Sequence, residues 1–132
     1  MKSFHLTIDS LALNAHNPSD ITVNLEKKIP SYLTRVCTKN VVISYSGPRD
    51  SIGYIHCDIL NRDDNVLNEE KSDVLAIIPI NATKKYIFQK SASIHKDLKS
   101  SDFTSIRITL TGRNNVSLKN VAHVIYELEF IM

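Results

Sequence analysis

The sequence predicts an all-β protein: a single antiparallel β-sandwich of about eight strands, of the jelly-roll kind. Apolar and polar residues alternate from one end of the chain to the other, helical periodicity is almost absent, and clusters of turn-forming residues separate the alternating runs. An immunoglobulin-like sandwich is the second choice, because the chain has no Trp for the usual buried position. With 132 residues, the chain is expected to form one domain spanning 1–132.

Four predicted strands occupy the first half of the chain. The first covers about residues 3–13, where Phe4, Leu6 and Ile8 alternate and Leu11 and Leu13 continue after a one-residue shift typical of a bulge or bend. Turn-forming residues at 14–20 precede the second predicted strand, the run of Ile21, Val23 and Leu25. The third strand lies in the stretch 32–45 with Val41, Val42 and Ile43, and the fourth covers residues 52–60 after a second turn at 47–50.

The second half predicts four more strands and two longer connections. Residues 61–73 are polar and acidic and indicate an exposed loop, while 91–102 form a Ser- and Lys-rich connection in which Ile94 and Leu98 could make one helical turn. Pro79 favours an edge position for its strand, since proline cannot donate to a ladder. The strands are 74–80, 84–90, the run from Ile106 to Leu110, and 122–130, with a hairpin signal at 112–115 before the last.

Charge and hydropathy exclude several classes of protein. Sixteen Lys and Arg against fourteen Asp and Glu give a net charge of +2, so nucleic-acid binding is not expected, although 84–90 interleaves basic and aromatic residues. Polar residues interrupt the apolar N-terminus, which argues against a signal peptide, and no apolar run approaches the ~18 residues of a membrane span. We therefore expect a soluble protein, intracellular unless it is part of a virion.

The sequence offers no catalytic, cofactor-binding or metal-binding residues, and an enzyme is not expected. The three glycines form no phosphate-binding loop, and the acidic pair Asp63 and Asp64 lacks the residue order of a calcium loop. Cys37 and Cys57 have no metal-ligand spacing and are expected to be reduced core residues. The five histidines occur singly, but folding could still bring His56 and His123 together.

Strands three, four and five are apolar on both faces, which is more than the core of one sandwich can bury. Another subunit would cover the surplus, because exposed apolar patches mark interfaces; the alternative is a sandwich whose outer surface is itself somewhat apolar. A covering subunit predicts a homo-oligomer, and Val42 and Ile78 are the residues at which the interface would be tested.

Two segments carry a resemblance to a family. The stretch from Asp9-Ser10-Leu11 through 17–25, and the stretch 103–112 followed by a closing strand that ends Leu128-Glu129-Phe130, resemble small jelly-roll virion proteins of Polinton-type elements, virophages and related double-stranded DNA viruses. The resemblance implies a capsid or capsid-associated protein that self-assembles as a trimer or pentamer, or cements neighbouring capsid proteins. It implies location in the virion and contact surfaces at 61–73 and 91–102, and it supplies no catalytic residues.

Two rival functions remain. A monomeric β-sandwich recognition module would bind glycan or protein through its end loops, although the chain has few aromatic residues for sugar binding. A cupin-like enzyme would need several metal-binding histidines on neighbouring strands, which the sequence does not show.

Overall fold

The computed structural model describes residues 3–47, 51–60, 73–80, 86–90, 95–100, 102–113 and 116–132. Within these ranges the chain forms nine strands and no α-helix. The strands are β1 (Ser3–Asp9), β2 (Asp20–Asn24), β3 (Arg35–Tyr45), β4 (Ser51–Cys57), β5 (Val74–Ile80), β6 (Tyr86–Lys90), β7 (Lys96–Asp97), β8 (Ser105–Thr111) and β9 (Val121–Ile131). Among the described residues, no helix is long and apolar enough to cross a membrane.

The strands form two antiparallel sheets with jelly-roll topology. The first sheet has the order β1-β9-β3-β6, with the two-residue β7 added beside β3, and the second has the order β2-β8-β4-β5. Successive strands pass from one sheet to the other, apart from the β4–β5 pair and β6 with β7, so most pairings join distant parts of the chain. The predicted all-β jelly roll is confirmed, and β7 is an additional short strand.

The core lies between the sheets and follows the predicted alternation. On β9 the inward side chains of Val124, Tyr126, Leu128 and Phe130 are buried, and on β8 those of Ile106, Ile108 and Leu110 face them from the other sheet. Because side chains alternate across a strand, one face of each sequence run enters the core. Each large apolar side chain buried there contributes roughly 1.5–3 kcal/mol.

The first strand is shorter than the sequence predicts. It ends at Asp9, whose carboxylate accepts the backbone N–H of Leu11 at 3.0 Å while its carbonyl accepts that of Leu13 at 3.1 Å. Asn14 then takes a positive φ of 51°, a conformation in which Asn is enriched among non-glycine residues. This turn leaves Leu11 64% and Leu13 43% exposed, so the prediction that both continue the strand is wrong.

The connection after β6 also differs from the prediction where it is described. Leu98 forms an isolated antiparallel bridge with Leu60 and donates its N–H to the Thr34 carbonyl at 2.9 Å, so it is in extended backbone and not in a helical turn. Ile94, the loop residues 61–72, residues 84 and 85 of the sixth predicted strand, and residues 114 and 115 of the predicted hairpin lie outside the described residues.

In the strands predicted to be apolar on both faces, the residues that face the core are not those expected. Ile78 is only 3% exposed and belongs to the core, whereas its neighbour Ile77 points outward and is 60% exposed. Val42 is half-buried on the outer side of β3, opposite Ile125. A register shift between β4 and β5 leaves Leu75 as an extra residue on β5. The choice of Ile78 as an interface residue is therefore wrong.

Candidate functional site

The first outer face consists of the outward side chains of β1, β3 and β9, together with His95 just before β7. Beside apolar residues such as Val42 and Ile125, it contains histidines, carboxylates, a lysine, an asparagine and a thiol. These polar and ionisable side chains are His5, Asp9, Cys37, Lys39, Asn40, His95, His123, Glu127 and Glu129.

Glu129 is the centre of this face. Strand register places His5 of β1 on one side of it and Cys37 of β3 on the other. Its Oε2 lies 3.3 Å from His5 Nε2, and its Oε1 lies 3.6 Å from His95 Nε2 and 4.0 Å from Cys37 Sγ. Lys39 stands at the register shift of β3, and its Nζ lies 3.8 Å from the same Oε1. One carboxylate therefore contacts four side chains of three chemical kinds: two imidazoles, a thiol and an ammonium group.

Both cysteines are free and buried, but they occupy different places. Cys57 lies in the core, and burial raises the pKa of its thiol to about 12. Cys37 lies on the first outer face, although only 1% of the residue is exposed. Burial, followed by the negative charge of Glu129, raises the pKa of the Cys37 thiol. Both cysteines are thus free and buried as predicted, but only Cys57 belongs to the cluster of core side chains between the sheets.

A second group of contacts lies further along the same face. His123 Nε2 is 2.7 Å from Asp9 Oδ1, and this hydrogen bond is the main reason why the pKa of Asp9 is lowered. Asn40 donates its side-chain N–H to Glu127 Oε2 at 2.8 Å. These pairs join the three strands β1, β9 and β3 on the solvent side of the first sheet.

The second outer face comprises the outward side chains of β4, β5 and β8, and it contains a buried histidine. His56 Nδ1 lies 2.7 Å from Asp73 Oδ1, and its Nε2 lies 2.8 Å from Thr111 Oγ1. An ionised carboxylate can only accept, so Nδ1 donates to Asp73, and Nε2 faces the Thr111 hydroxyl. Nucleophilic enzymes use the same order of acid, histidine and hydroxyl.

The backbone beside Thr111 argues against that chemistry. Acyl transfer needs backbone donors that are free to bind an oxyanion near the nucleophile. Here the next N–H, that of Gly112, donates to the Val116 carbonyl at 2.8 Å, and Thr111 itself pairs with Tyr54 within the sheet. We therefore interpret the three side chains as a clamp that attaches Asp73, at the start of β5, to β4 and β8.

The structure separates residues that the sequence left as a possible pair and joins others that the sequence kept apart. His56 belongs to the second sheet and His123 to the first, so the two do not meet. Potential metal-ligand atoms of Cys37, His95 and Glu129 instead lie within 4.8 Å of one another. Their spacing of 58 and 34 positions along the chain (95 − 37 and 129 − 95) carries no motif, and only strand register brings them together.

Exposed apolar side chains mark one end of the sandwich. Leu11 and Leu13 lie in the β1–β2 loop, and Val116, 57% exposed, lies in the β8–β9 loop. The two loops are joined, since the Ser19 hydroxyl donates to the Leu118 carbonyl at 2.6 Å. Tyr32, 47% exposed, lies at the opposite end, in the β2–β3 loop.

The chain is similar in structure to a viral capsid component. No protein-family model matches it, and no curated protein sequence matches it either. The crystal structure of the selenomethionine-labelled mavirus penton protein superposes with a TM-score of 0.58 at 6% sequence identity, covering 98% of this chain and 99% of that one. At this identity the similarity shows the fold alone. The capsid-like part of the predicted resemblance is thus confirmed as a fold.

Proposed function

We propose that the chain is a non-enzymatic structural subunit of a viral capsid, located in the virion and acting through assembly with copies of itself or with other capsid proteins. The observation that carries the proposal is the structural match to the mavirus penton protein, which covers 98% of the chain. We take residues 1–132 as one jelly-roll domain. In this role the protein acts by burying surface between subunits. Because a capsid contains many copies, the free energies of individually weak contacts add up to a stable assembly.

The loop end of the sandwich is the surface that fits this role best. Three of the six exposed large hydrophobic side chains of the described residues lie there, on two loops that hydrogen-bond to each other. Solvent-exposed Leu11 and Leu13 favour burial against a partner, because each large apolar side chain fully removed from water contributes roughly 1.5–3 kcal/mol. The outward Ile77 on edge strand β5 is a second contact candidate.

Light scattering across a concentration range, with electron microscopy of any large species, tests the proposal. We expect a mass above that of the 14.9 kDa monomer that increases with concentration. The double variant Leu11→Ser with Leu13→Ser should move the assembly midpoint to at least about tenfold higher concentration, which is a loss of about 1.4 kcal/mol or more.

The matched control is Tyr32→Ser, which removes an exposed large side chain from the opposite end and should leave the midpoint unchanged. A strictly monomeric wild-type chain at every concentration would contradict self-assembly and favour a monomeric recognition module. An equal effect of both variants would show that the loop end is not the contact surface.

A further inference from the structure

The cluster of Cys37, His95 and Glu129 has a composition that the structural role does not explain. A thiol, an imidazole and a carboxylate, each from a different element, present their ligand atoms within 4.8 Å of one another. Cys37 is buried, and the side chains of His95 and Glu129 are 18% and 16% exposed. Surface ion pairs need neither this burial nor a thiol.

His95 supplies a second and independent observation. Its Nε2 is buried and has no hydrogen-bond partner among the residues that the structure describes; the nearest carboxylate oxygen, Glu129 Oε1, is 3.6 Å away. A buried polar atom without a partner is unfavourable, and such an atom in a folded protein commonly indicates a bound water or ion. The nitrogen is aimed at the same oxygen that Cys37 Sγ approaches.

We propose that Cys37, His95 and Glu129 bind a divalent transition metal ion, with Zn²⁺ the best fit. Zinc takes thiolate, imidazole and carboxylate ligands in tetrahedral geometry. Its bond lengths place a sulfur and an oxygen ligand about 3.6 Å apart, and a nitrogen and an oxygen ligand about 3.4 Å apart. The corresponding separations in this chain are 4.0 Å and 3.6 Å, and all three ligand atoms lie within 4.8 Å of one another, so side-chain rotations must bring the three atoms closer together to complete the site.

His5 is on the opposite side of Glu129 from Cys37 and is not one of the three side chains whose ligand atoms lie within 4.8 Å of one another, so it would reach the ion only by moving. Its Nε2 lies 3.3 Å from Glu129 Oε2, and its side chain is 49% exposed, so it can turn toward the ion as a fourth ligand or leave that position to water. Lys39 is the one competing cation among the described contacts of Glu129. Its side chain is 41% exposed, which allows the ammonium group to move into solvent when a metal ion takes its place.

Metal binding at this site releases a proton. The Cys37 thiol binds the ion as a thiolate, so the S–H bond breaks, an S–metal bond forms and H⁺ goes to solvent. Protons and the metal ion therefore compete for the sulfur, so binding should weaken as the pH is lowered.

The test is a titration of the chelator-stripped full chain with Co²⁺ and with Zn²⁺. Cobalt should give the thiolate charge-transfer band and the intense visible bands of tetrahedral coordination, saturating at one ion per chain. Zinc should displace it and, at one hundred times its Kd, raise Tm by roughly 10 °C. Cys37→Ser should abolish the charge-transfer band, and His95→Gln and Glu129→Gln should each lower the affinity at least about tenfold.

His123→Gln is the matched control, since it removes a histidine from the same face and from the strand that carries Glu129, and it should bind like the wild type. Far-ultraviolet circular dichroism checks that every variant is folded, and His95→Gln keeps the test valid if Cys37→Ser does not fold. Absence of saturable binding, or unchanged cobalt spectra in Cys37→Ser, would overturn the proposal. Neither result depends on whether the chain assembles into a capsid.

Discussion

The two outer faces of the sandwich differ in where their charged and apolar side chains lie. On the first outer face, outward positions of the central strand β9 carry His123, Glu127 and Glu129, each in contact with a charged or polar neighbour. On the second outer face, Tyr54 and His56 of β4 are buried outside the core, and Ile77 on the edge strand β5 is exposed. Alternation decides which residues point outward, but not what covers them.

The difference suggests a division of labour. A network of ion pairs and hydrogen bonds on a central strand holds neighbouring strands together and presents a hydrated surface, which is poorly suited to tight burial. Among the described strands β5 is at the edge of its sheet, and its exposed isoleucine and proline offer apolar surface, which suits contact with another chain. The first outer face therefore suits an ion, and the second outer face suits a partner.

The largest effect on stability is expected at the clamp of the second outer face. His56→Ala removes a buried ring and two hydrogen bonds and should lower the free energy of unfolding by about 2–4 kcal/mol. Thr111→Val, which removes one hydrogen bond and keeps the side-chain shape, should cost about 1–2 kcal/mol. Denaturant unfolding measures both values. Two losses below about 0.5 kcal/mol would mean that the clamp is not needed for stability.

An intermediate, pH-dependent effect is expected on the first outer face. Because the folded pKa of Asp9 is lowered from 3.8, its stabilising contribution is present above that value and is lost as the pH falls through the folded pKa. Asp9→Asn should therefore reduce stability by about 0.5–1 kcal/mol near pH 5, and the difference from the wild type should shrink toward pH 2. Thermal unfolding across this range would contradict the assignment if the difference were constant.

The smallest effect on stability is expected at Ile77. Its side chain is 60% exposed, so Ile77→Lys should change the free energy of unfolding by no more than about 0.5 kcal/mol. If the second outer face contacts a partner, the same variant should still weaken assembly, measured by light scattering. Ile78→Ala is the matched core substitution and should cost about 2–4 kcal/mol, because that side chain is 3% exposed. Similar losses for both variants would show that Ile77 is also buried.

The core-facing residues of β8 and β9 could be predicted from the sequence, because apolar side chains at alternate positions of each strand form its core face. The first strand was predicted too long because Leu11 and Leu13 continue the apolar pattern of the sequence. In the structure the chain turns after Asp9 and exposes both side chains to solvent. On β5 the sequence Val-Leu-Ala-Ile-Ile-Pro-Ile offers an apolar side chain at every position. Periodicity therefore could not tell that Ile78 enters the core and Ile77 does not.

The sequence by itself determined the fold class and the position of most strands, because period-two alternation and turn chemistry are local properties of the chain. Which strands become neighbours is a property of tertiary structure, since in the first sheet β9 lies between β1 and β3, far from both along the chain. That pairing places His5 and Cys37 on opposite sides of Glu129, and the connection before β7 adds His95. The candidate ion site exists only through strand register and the path of that connection, which no short-range pattern of residues encodes.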